Sequence, residues 1–353
     1  MISTRLAHCR TTSRRHVLAA ATTGFIDFLS KNGGAADKVC AGVGIEEDQL
    51  RDINQPLDLA AYVQMMELAS AETRNDNFGL WFGQQFQPED LGLIGGIAIA
   101  SPTLGAALSN LARFFPYHQQ VTYTAFRRRS EFLSLEYRIV DGGIVERRHD
   151  AELTLGMFVN VLRHCLGSRW APAEVHFEHL RPADWREHSQ AFLAPVRFGQ
   201  PTNALLFTDD GLHQCMPHGN LPRANSLSQQ LVGIGGNVGT LSLLDHVKGE
   251  IRTRLPGGVP SVHVVAEAVG LPRWTLQRRL SEYGLCFSDA IDLVRRELAA
   301  RHIQQRYVPV VEMSELLGYS ELSAFSRAFC RWFGMSPQKF RAALFAPEHA
   351  ALR

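Results

Sequence analysis

The stretches VHVVAEAVGLPRWTLQRRL (residues 262–280) and VVEMSELLGYSELSAFSRAFCRWFG (residues 310–334) follow one plan. Each opens with a short helix of apolar period, reaches a glycine (Gly270 or Gly318), and continues into a helix rich in Arg and small polar residues. A glycine takes a sharp turn without the steric cost of a Cβ. A second helix set off by such a turn is free to enter a major groove. One such pattern is a weak signal. Two in tandem, joined by a single amphipathic segment, predict a pair of helix-turn-helix motifs.

Helical phase then separates packing residues from contact residues. In the first motif Ser261 is placed to cap, Val262, Val265 and Val269 form a core face, and Leu276 and Leu280 point inward from the next helix. Arg273, Trp274, Gln277 and Arg278 fall on the opposite surface, where Arg suits guanine edges, Gln suits adenine, and Trp packs on sugars or thymine methyls. Core packing is the alternative for Trp274. In the second motif Pro309 and Val310 open the first helix, Val311, Leu316 and Leu317 pack, and Ser320 is placed to cap the second helix. Phe325, Phe329 and Phe333 repeat every four residues as core, which leaves Glu321, Leu322, Ser323 and Arg327 outward. Arg331 and Lys339 are placed for phosphates, or are solvated charges. Between the motifs, Ser288 to Gln305 reads as one helix with Ile291, Val294 and Leu298 on one face. Its 18 residues make a rod of about 27 Å, near the ~34 Å between major-groove entries on one face of DNA. A leucine-lined helix over 240–255, capped by Thr240, precedes the pair.

The chain has 353 residues, 45% of them hydrophobic and 20% charged, which suits two globular cores. Net charge is +1, but from residue 240 onward 15 Lys and Arg face 11 Asp and Glu, leaving 21 against 24 before it. A mildly acidic front and a basic back fit nucleic acid meeting the back alone. Cys9, Cys40, Cys165, Cys215, Cys286 and Cys330 form no CxxC pair, which disfavours a zinc site and fits reduced, buried thiols. No run approaches roughly 18 apolar residues, so no membrane span is expected. Ser13-Arg14-Arg15-His16-Val17-Leu18 resembles a twin-arginine export signal. Asp27 and Lys31 interrupt the apolar run, so an amphipathic helix behind a basic tail is the better reading, with the cytoplasm as compartment.

The front half mixes element types. Asp58 is placed to cap a helix through Thr73, with Leu59, Tyr62, Val63, Met66 and Ala69 on one face. Ser101-Pro102 predicts the N-cap and first-turn proline of a helix through Phe115, with Leu104, Leu108, Leu111 and Phe115 as its buried stripe. Residues 121–129 and 132–140 alternate as a hairpin, a long helix spans 147–166, and short strands follow at 175–177, 196–198 and 205–207. The expected fold is an α+β N-terminal domain followed by an all-α domain with two helix-turn-helix motifs joined by a long helix. The expected boundaries are a disordered tail over 1–13, an effector-binding or dimerisation domain over 14–216, and a linker over 217–239. The DNA-binding domain then spans 240–345 and a second tail spans 346–353. The glycines of 233–239 do not have GxGxxG spacing, so connecting sequence is preferred there to a dinucleotide loop.

GLPRWTLQRRL (270–280), RRELA (295–299) and LGYSELSAFSRAFCRWFGMSPQKFR (317–341) resemble the tandem helix-turn-helix domain of AraC/XylS-type transcription regulators, over about 243–341. LGLIGGIAIASPTLGAALSNLARF (91–114) and PVRFGQPTNALLF (195–207) resemble the arabinose-binding-type N-terminal domain of a subset of these regulators. The resemblance implies base reading by Trp274, Gln277 and Arg278 and by Leu322, Ser323 and Arg327. It implies a regulator, expected to be an activator, that binds double-stranded promoter DNA and contacts RNA polymerase. The front domain would sense a small molecule, form a homodimer, or both; a ligand-free dimerisation or protein-contact module is the alternative. Pro272 stands where the family usually has a capping Ser or Thr, at a cost of about 1 kcal/mol. Leu322 and Ser323 discriminate less than long polar side chains, so the second helix would mainly position the protein. Tyr117, His118 and Tyr123 follow the most family-like front segment and carry polar tips on apolar bodies, as effector contacts or as core.

Other chemistry finds little support. His176 and His179, read on a strand, point to opposite faces and are poor joint metal ligands. His149-Asp150 reads as helix-start electrostatics rather than an acid–base pair, and His164-Cys165 do not face each other on a helix. No GxSxG, HExxH or phosphate-loop motif is present. The expectation is a non-enzyme with no catalytic residues, no metal and no cofactor; a front half that is an enzyme or metal sensor is the reading from another class.

Overall fold

A computed structural model describes residues 15–129, 131–236, 242–305 and 308–345. The expected tails over 1–13 and 346–353 lie outside the described residues. Strand β1 (His16–Leu18) pairs antiparallel with β2 (Pro56–Asp58), and α1 (Phe25–Lys31) and α2 (Ala36–Val43) lie between them in sequence. Asp58 accepts a hydrogen bond from the Ala61 amide, so β2 passes directly into α3 (Leu59–Thr73). The face expected for that helix is buried at all five positions, Leu59, Tyr62, Val63, Met66 and Ala69.

Helices α4 (Phe78–Gln85), α5 (Gly92–Ala100) and α6 (Leu104–His118) follow, then the hairpin β3 (Thr122–Arg129) and β4 (Phe132–Ile139). After α7 (Arg148–Leu166) come β5 (Glu174–His176), α8 (Arg186–Phe192), β6 (Val196–Arg197) and β7 (Asn203–Phe207). The sheet order is β3-β4-β7-β5-β6, antiparallel except for the parallel pair β5–β6. α7 is buried along most of its length, and with α3, α4 and α6 it builds the first core.

α9 (Leu221–Gly235) adds Leu231 to that first core, and the all-α part then opens with α10 (Leu243–Arg254), α11 (Val262–Ala268), α12 (Arg273–Glu282) and α13 (Phe287–His302). It ends with α14 (Val310–Leu316), α15 (Leu322–Phe333) and α16 (Pro337–Leu344). A second core gathers Val247, Ile251 and Leu255 of the α10 segment with Leu276, Leu280, Val294, Phe325 and Phe329. The expected α+β front followed by an all-α back is the architecture found.

Several expectations change. Residues 16–22 form β1 and a 3-10 turn rather than an amphipathic helix, because Val17 through Ala21 are all buried and leave no polar face. Thr103, not Ser101, caps α6 through the Ala106 amide, while the Ser101 hydroxyl closes α5 by donating to the Ile97 carbonyl. The stretch expected as linker contains α9, capped by Asn220 and packed on α5 and α6 through Ala224 and Leu231. Thr240 lies outside the described residues, and Ser242 caps α10. Cys40 and Cys165 are buried, but Cys215, Cys286 and Cys330 are exposed. No helix among the described residues is long and apolar enough to cross a membrane.

The two parts meet where α10 lies against residues 140–145. A Cβ on Gly142 would stand 2.4 Å from Lys248 Cβ, and one on Gly249 would stand 2.3 Å from the Val140 carbonyl oxygen. Arg252 donates to the Ile144 and Gly142 carbonyls at 2.9 and 2.8 Å, and Arg138 reaches Glu250 at 3.1 Å. Arg15 bridges Asp141 and Asp245 across the same junction.

Asp150 is not a surface charge at a helix start. It is buried, and it accepts hydrogen bonds from the Tyr137 hydroxyl and, at 3.2 Å, from Gln119 Nε2. Burial pushes its carboxyl up to about 7, against the opposing pull of those hydrogen bonds. An acid whose folded pKa exceeds its unfolded value stabilises the fold at low pH, and that contribution is lost as pH rises through the folded pKa. Asp150→Asn keeps an acceptor for Tyr137 without the charge. It should flatten the fall in unfolding free energy between about pH 4 and about pH 7, read by urea denaturation; equal slopes in variant and wild type would contradict this assignment.

Candidate nucleic-acid interface

Ser261 caps α11 by accepting from the Val264 amide at 3.4 Å. Gly270 and Gly318 then take φ of +70° and +69°, so both motifs turn through the left-handed region that favours glycine. α12 begins after Pro272, which offers no side-chain cap. Leu276 and Leu280 are fully buried, while Arg273, Gln277 and Arg278 are exposed and Trp274 is 67% exposed, which excludes core packing for it.

In the second motif Met313 and Leu317 face inward and Val311 is exposed, contrary to expectation. Residues 313 and 317 are four apart and share the inner face; residue 311, two before 313, falls on the other side. The cap position of α15 is Glu321 rather than Ser320, with no side-chain cap bond. The Ser323 hydroxyl instead donates to Glu321 at 3.0 Å. Phe325 and Phe329 are buried, and Phe329 meets Phe340 of α16 edge-to-face at 5.5 Å. Glu321, Leu322, Ser323 and Arg327 are exposed. Arg331 is exposed but paired with Asp292 at 2.6 Å, and Lys339 is exposed on α16.

The connector α13 has 16 residues, a rod of about 24 Å. It starts at Phe287 and stops at His302, shorter than the expected 288–305 at its C-terminal end. Arg295 on its flank donates to the Leu317 and Gly318 carbonyls, both at 2.8 Å, with its guanidinium 3.9 Å from the Tyr319 ring centroid. The guanidinium thus satisfies the two carbonyls that follow α14 and pins the turn of the second motif to the connector. Sequence reasoning saw Arg295 only inside RRELA; nothing local to it announces a partner 22 residues ahead.

The three effector candidates do not converge. Tyr117 is half-buried beside Phe114. His118 is buried with neither ring nitrogen bonded, and burial lowers it to about 3, so it is neutral. Tyr123 is half-buried, its hydroxyl 3.4 Å from Glu136 and its ring beside Arg127 and Arg138. None of them lines the cavities between the two parts.

His176 ends β5, so His179 lies beyond the strand on which both were expected, and it joins residues the sequence scatters. Its ring, His188 and Glu152 bring their ligand atoms within 4.8 Å. Arg148 Nε already donates to the same Glu152 oxygen at 2.8 Å, supplying the positive charge a metal would bring. Although burial opposes it, Arg148 and His188 hold the Glu152 carboxyl well below its usual range. Arg148 and His188 thus both hold one Glu152 oxygen, while Glu152 Oε2 and His179 Nε2 are buried without a hydrogen-bond partner.

Two exposed polar helix faces, each behind a glycine turn and tied to one connector, define a double-stranded DNA-binding protein. Residues 33–216 match the arabinose-binding N-terminal domain of AraC transcription regulators, and 265–343 match a helix-turn-helix domain. The chain belongs to the AraC family of transcription regulators. It is 29% identical over 293 residues to the HTH-type transcriptional regulator VirS of Mycobacterium tuberculosis, covering 81% of this chain and 84% of that one. It is 23% identical over 336 residues to the ornithine utilization regulator of Pseudomonas aeruginosa, covering 90% and 94%. Among solved structures, the regulator CdpR of Pseudomonas aeruginosa aligns at 20% identity and a TM-score of 0.40, over 89% of this chain and 98% of that chain.

The two turn glycines separate backbone strain from lack of space. A Cβ on Gly270 meets nothing within 4 Å, whereas one on Gly318 would stand 2.7 Å from the Leu255 carbonyl oxygen. Gly270→Ala should therefore cost about 1 kcal/mol and Gly318→Ala about 2–4 kcal/mol, measured by urea denaturation. Equal losses would show that space at Gly318 does not matter.

Proposed function

We propose that this protein is a sequence-specific regulator that reads promoter DNA with two helix faces and senses a small molecule with its front domain. The exposed sets Arg273, Trp274, Gln277, Arg278 and Glu321, Leu322, Ser323, Arg327, held in one frame by α13, carry this reading. Within it Arg278 and Gln277 read base edges, and Lys339 contacts phosphate. Arg331 does so after leaving Asp292. The short and apolar side chains at the start of α15 make the second helix the weaker reader. The domain division is 14–216 for sensing, 217–239 for the connecting stretch that holds α9, and 240–345 for DNA. The protein acts as an activator through contact with RNA polymerase in the cytoplasm. Homodimer formation is supported by Leu221 and Val232, both exposed on α9 and, eleven residues apart, on one side of that helix. No catalytic step belongs to this reading, and the named relatives are regulators.

The test begins with sites selected from random-sequence DNA. Arg278→Ala should weaken the selected site by about 1–3 kcal/mol while changing random-DNA binding little, whereas Lys339→Ala should weaken both and reduce the salt slope by about 1. An Arg278→Ala protein that discriminates as well as wild type would remove Arg278 from base reading.

A further inference from the structure

A cavity of about 80 Å³ lies where the front domain meets α10 and α13. It adjoins a wider cleft of about 530 Å³ that shares Arg148, Leu180, Arg301 and Gln305 as walls. Among its described lining residues are the arginines Arg147, Arg148, Arg252 and Arg301, against the single carboxylate Glu178. Arg147 is paired with Glu178 at 2.7 Å, and Arg148 with Glu152 at 2.8 Å. Those two charges are settled.

The other two are not. Arg252 gives both terminal nitrogens to backbone carbonyls, its nearest ion-pair partner Glu297 stands 3.9 Å away, and its buried Nε has no partner. The Arg301 side chain forms no ion pair or hydrogen bond among the described residues, and its Nη1 is buried without a partner. Glu67 and Glu146 favour the Arg301 charge only from longer range, while Arg147 and Arg148 oppose it. His302 Nδ1 is buried and unpartnered beside them. Burial pushes Arg252 down to about 9 and His302 to about 3, so the imidazole is neutral; Glu297, the carboxylate 3.9 Å from Arg252, is already held by Lys248 at 2.7 Å. A buried cation without a counter-charge is costly, and an anion that enters such a site recovers that cost.

We propose that this junction is the effector site, and that it takes a small organic anion whose carboxylate or phosphate lies between Arg252 and Arg301. The assignment rests on the front domain being a sensor. The Arg301 fork suits either headgroup, Arg252 adds its unpartnered Nε and its charge, and Leu180, Leu298 and Leu316 offer an apolar wall for a carbon chain. Arg252 sits on α10 and Arg301 on α13, while Glu178, Leu180 and Gln200 come from the front domain. An anion held there touches both parts at once, so it shifts the balance between arrangements of the DNA-reading unit by its differential affinity for them.

The full chain is titrated at constant ionic strength with inorganic phosphate, with straight-chain carboxylates from acetate to octanoate, and with neutral L-arabinose, following Tm. Phosphate or a carboxylate should raise Tm in a saturable way, and which series succeeds names the headgroup. In Arg301→Gln the anion affinity should fall about tenfold or more, while Tm without ligand stays level or rises because an unanswered buried charge is gone. Arg301→Lys, which keeps charge but loses the fork, should retain part of the response. A saturable rise with arabinose alone would overturn the anion while leaving sensing intact. Anion stabilisation unchanged in Arg301→Gln would move the site elsewhere, as would a loss of ligand-free Tm shared by both variants. No response to any compound would sink both the site and the sensing reading.

Discussion

Helix α10 presses so closely on residues 140–145 that neither Gly142 nor Gly249 has room for a side chain. The approach leaves carbonyls of Gly142 and Ile144 facing the helix, and Arg252 satisfies both. Buried backbone acceptors demand partners, so the guanidinium is drawn into the seam whatever its own charge costs. Its burial there depresses Arg252, which lines one cavity with Arg147, Arg148 and Arg301. Ion pairs from Arg15 and Arg138 add to the same junction, and they count for more there than on a surface because Asp141 and Glu250 are nearly dry.

A second constraint runs through α13. Its inner face, Ile291, Val294 and Leu298, lies in the second core, and from its flank Arg295 holds the turn at Gly318. A change in where α10 sits therefore reaches α15 through a rod that bends little, not through a loop. The first motif hangs on α10 and α13 through Leu276 and Leu280 instead. Both reading faces thus inherit their orientation from apolar packing, while their chemistry is left to solvent.

Legibility followed how local each cause was. The Asp58 cap, the stripe Leu104, Leu108, Leu111, Phe115 and the repeat Phe325, Phe329, Phe333 depend on spacings within one or two helical turns, and the structure keeps them, with Phe333 partly buried at the edge of the second core. Caps were missed where several candidates stood side by side, as at Ser101 and Thr103 or at Ser320 and Glu321, because a shift of one or two residues changes little in propensity. The opening of the chain misled for another reason. A run of alanines after Val17 and Leu18 favours helix locally, but pairing with β2 and burial on every side override that preference. Gly233 and Gly235 likewise read as connecting sequence, while α9 uses the bare Gly235 to lie against Tyr117.

By itself the sequence determined the α3, α6 and α7 helices and the β3–β4 hairpin, the two glycine turns and which side chains each reading helix turns outward, since all of these are set by neighbours a few positions away. It also carried the family, through motifs whose residues are nearly contiguous. Only the tertiary structure decided that Asp150 is a buried acid on Tyr137, that Glu152 gathers Arg148, His179 and His188, and that Arg252 and Arg301 converge at a domain junction. Those outcomes depend on desolvation and on charges brought together from distant positions. Neither quantity exists along a chain until it has folded.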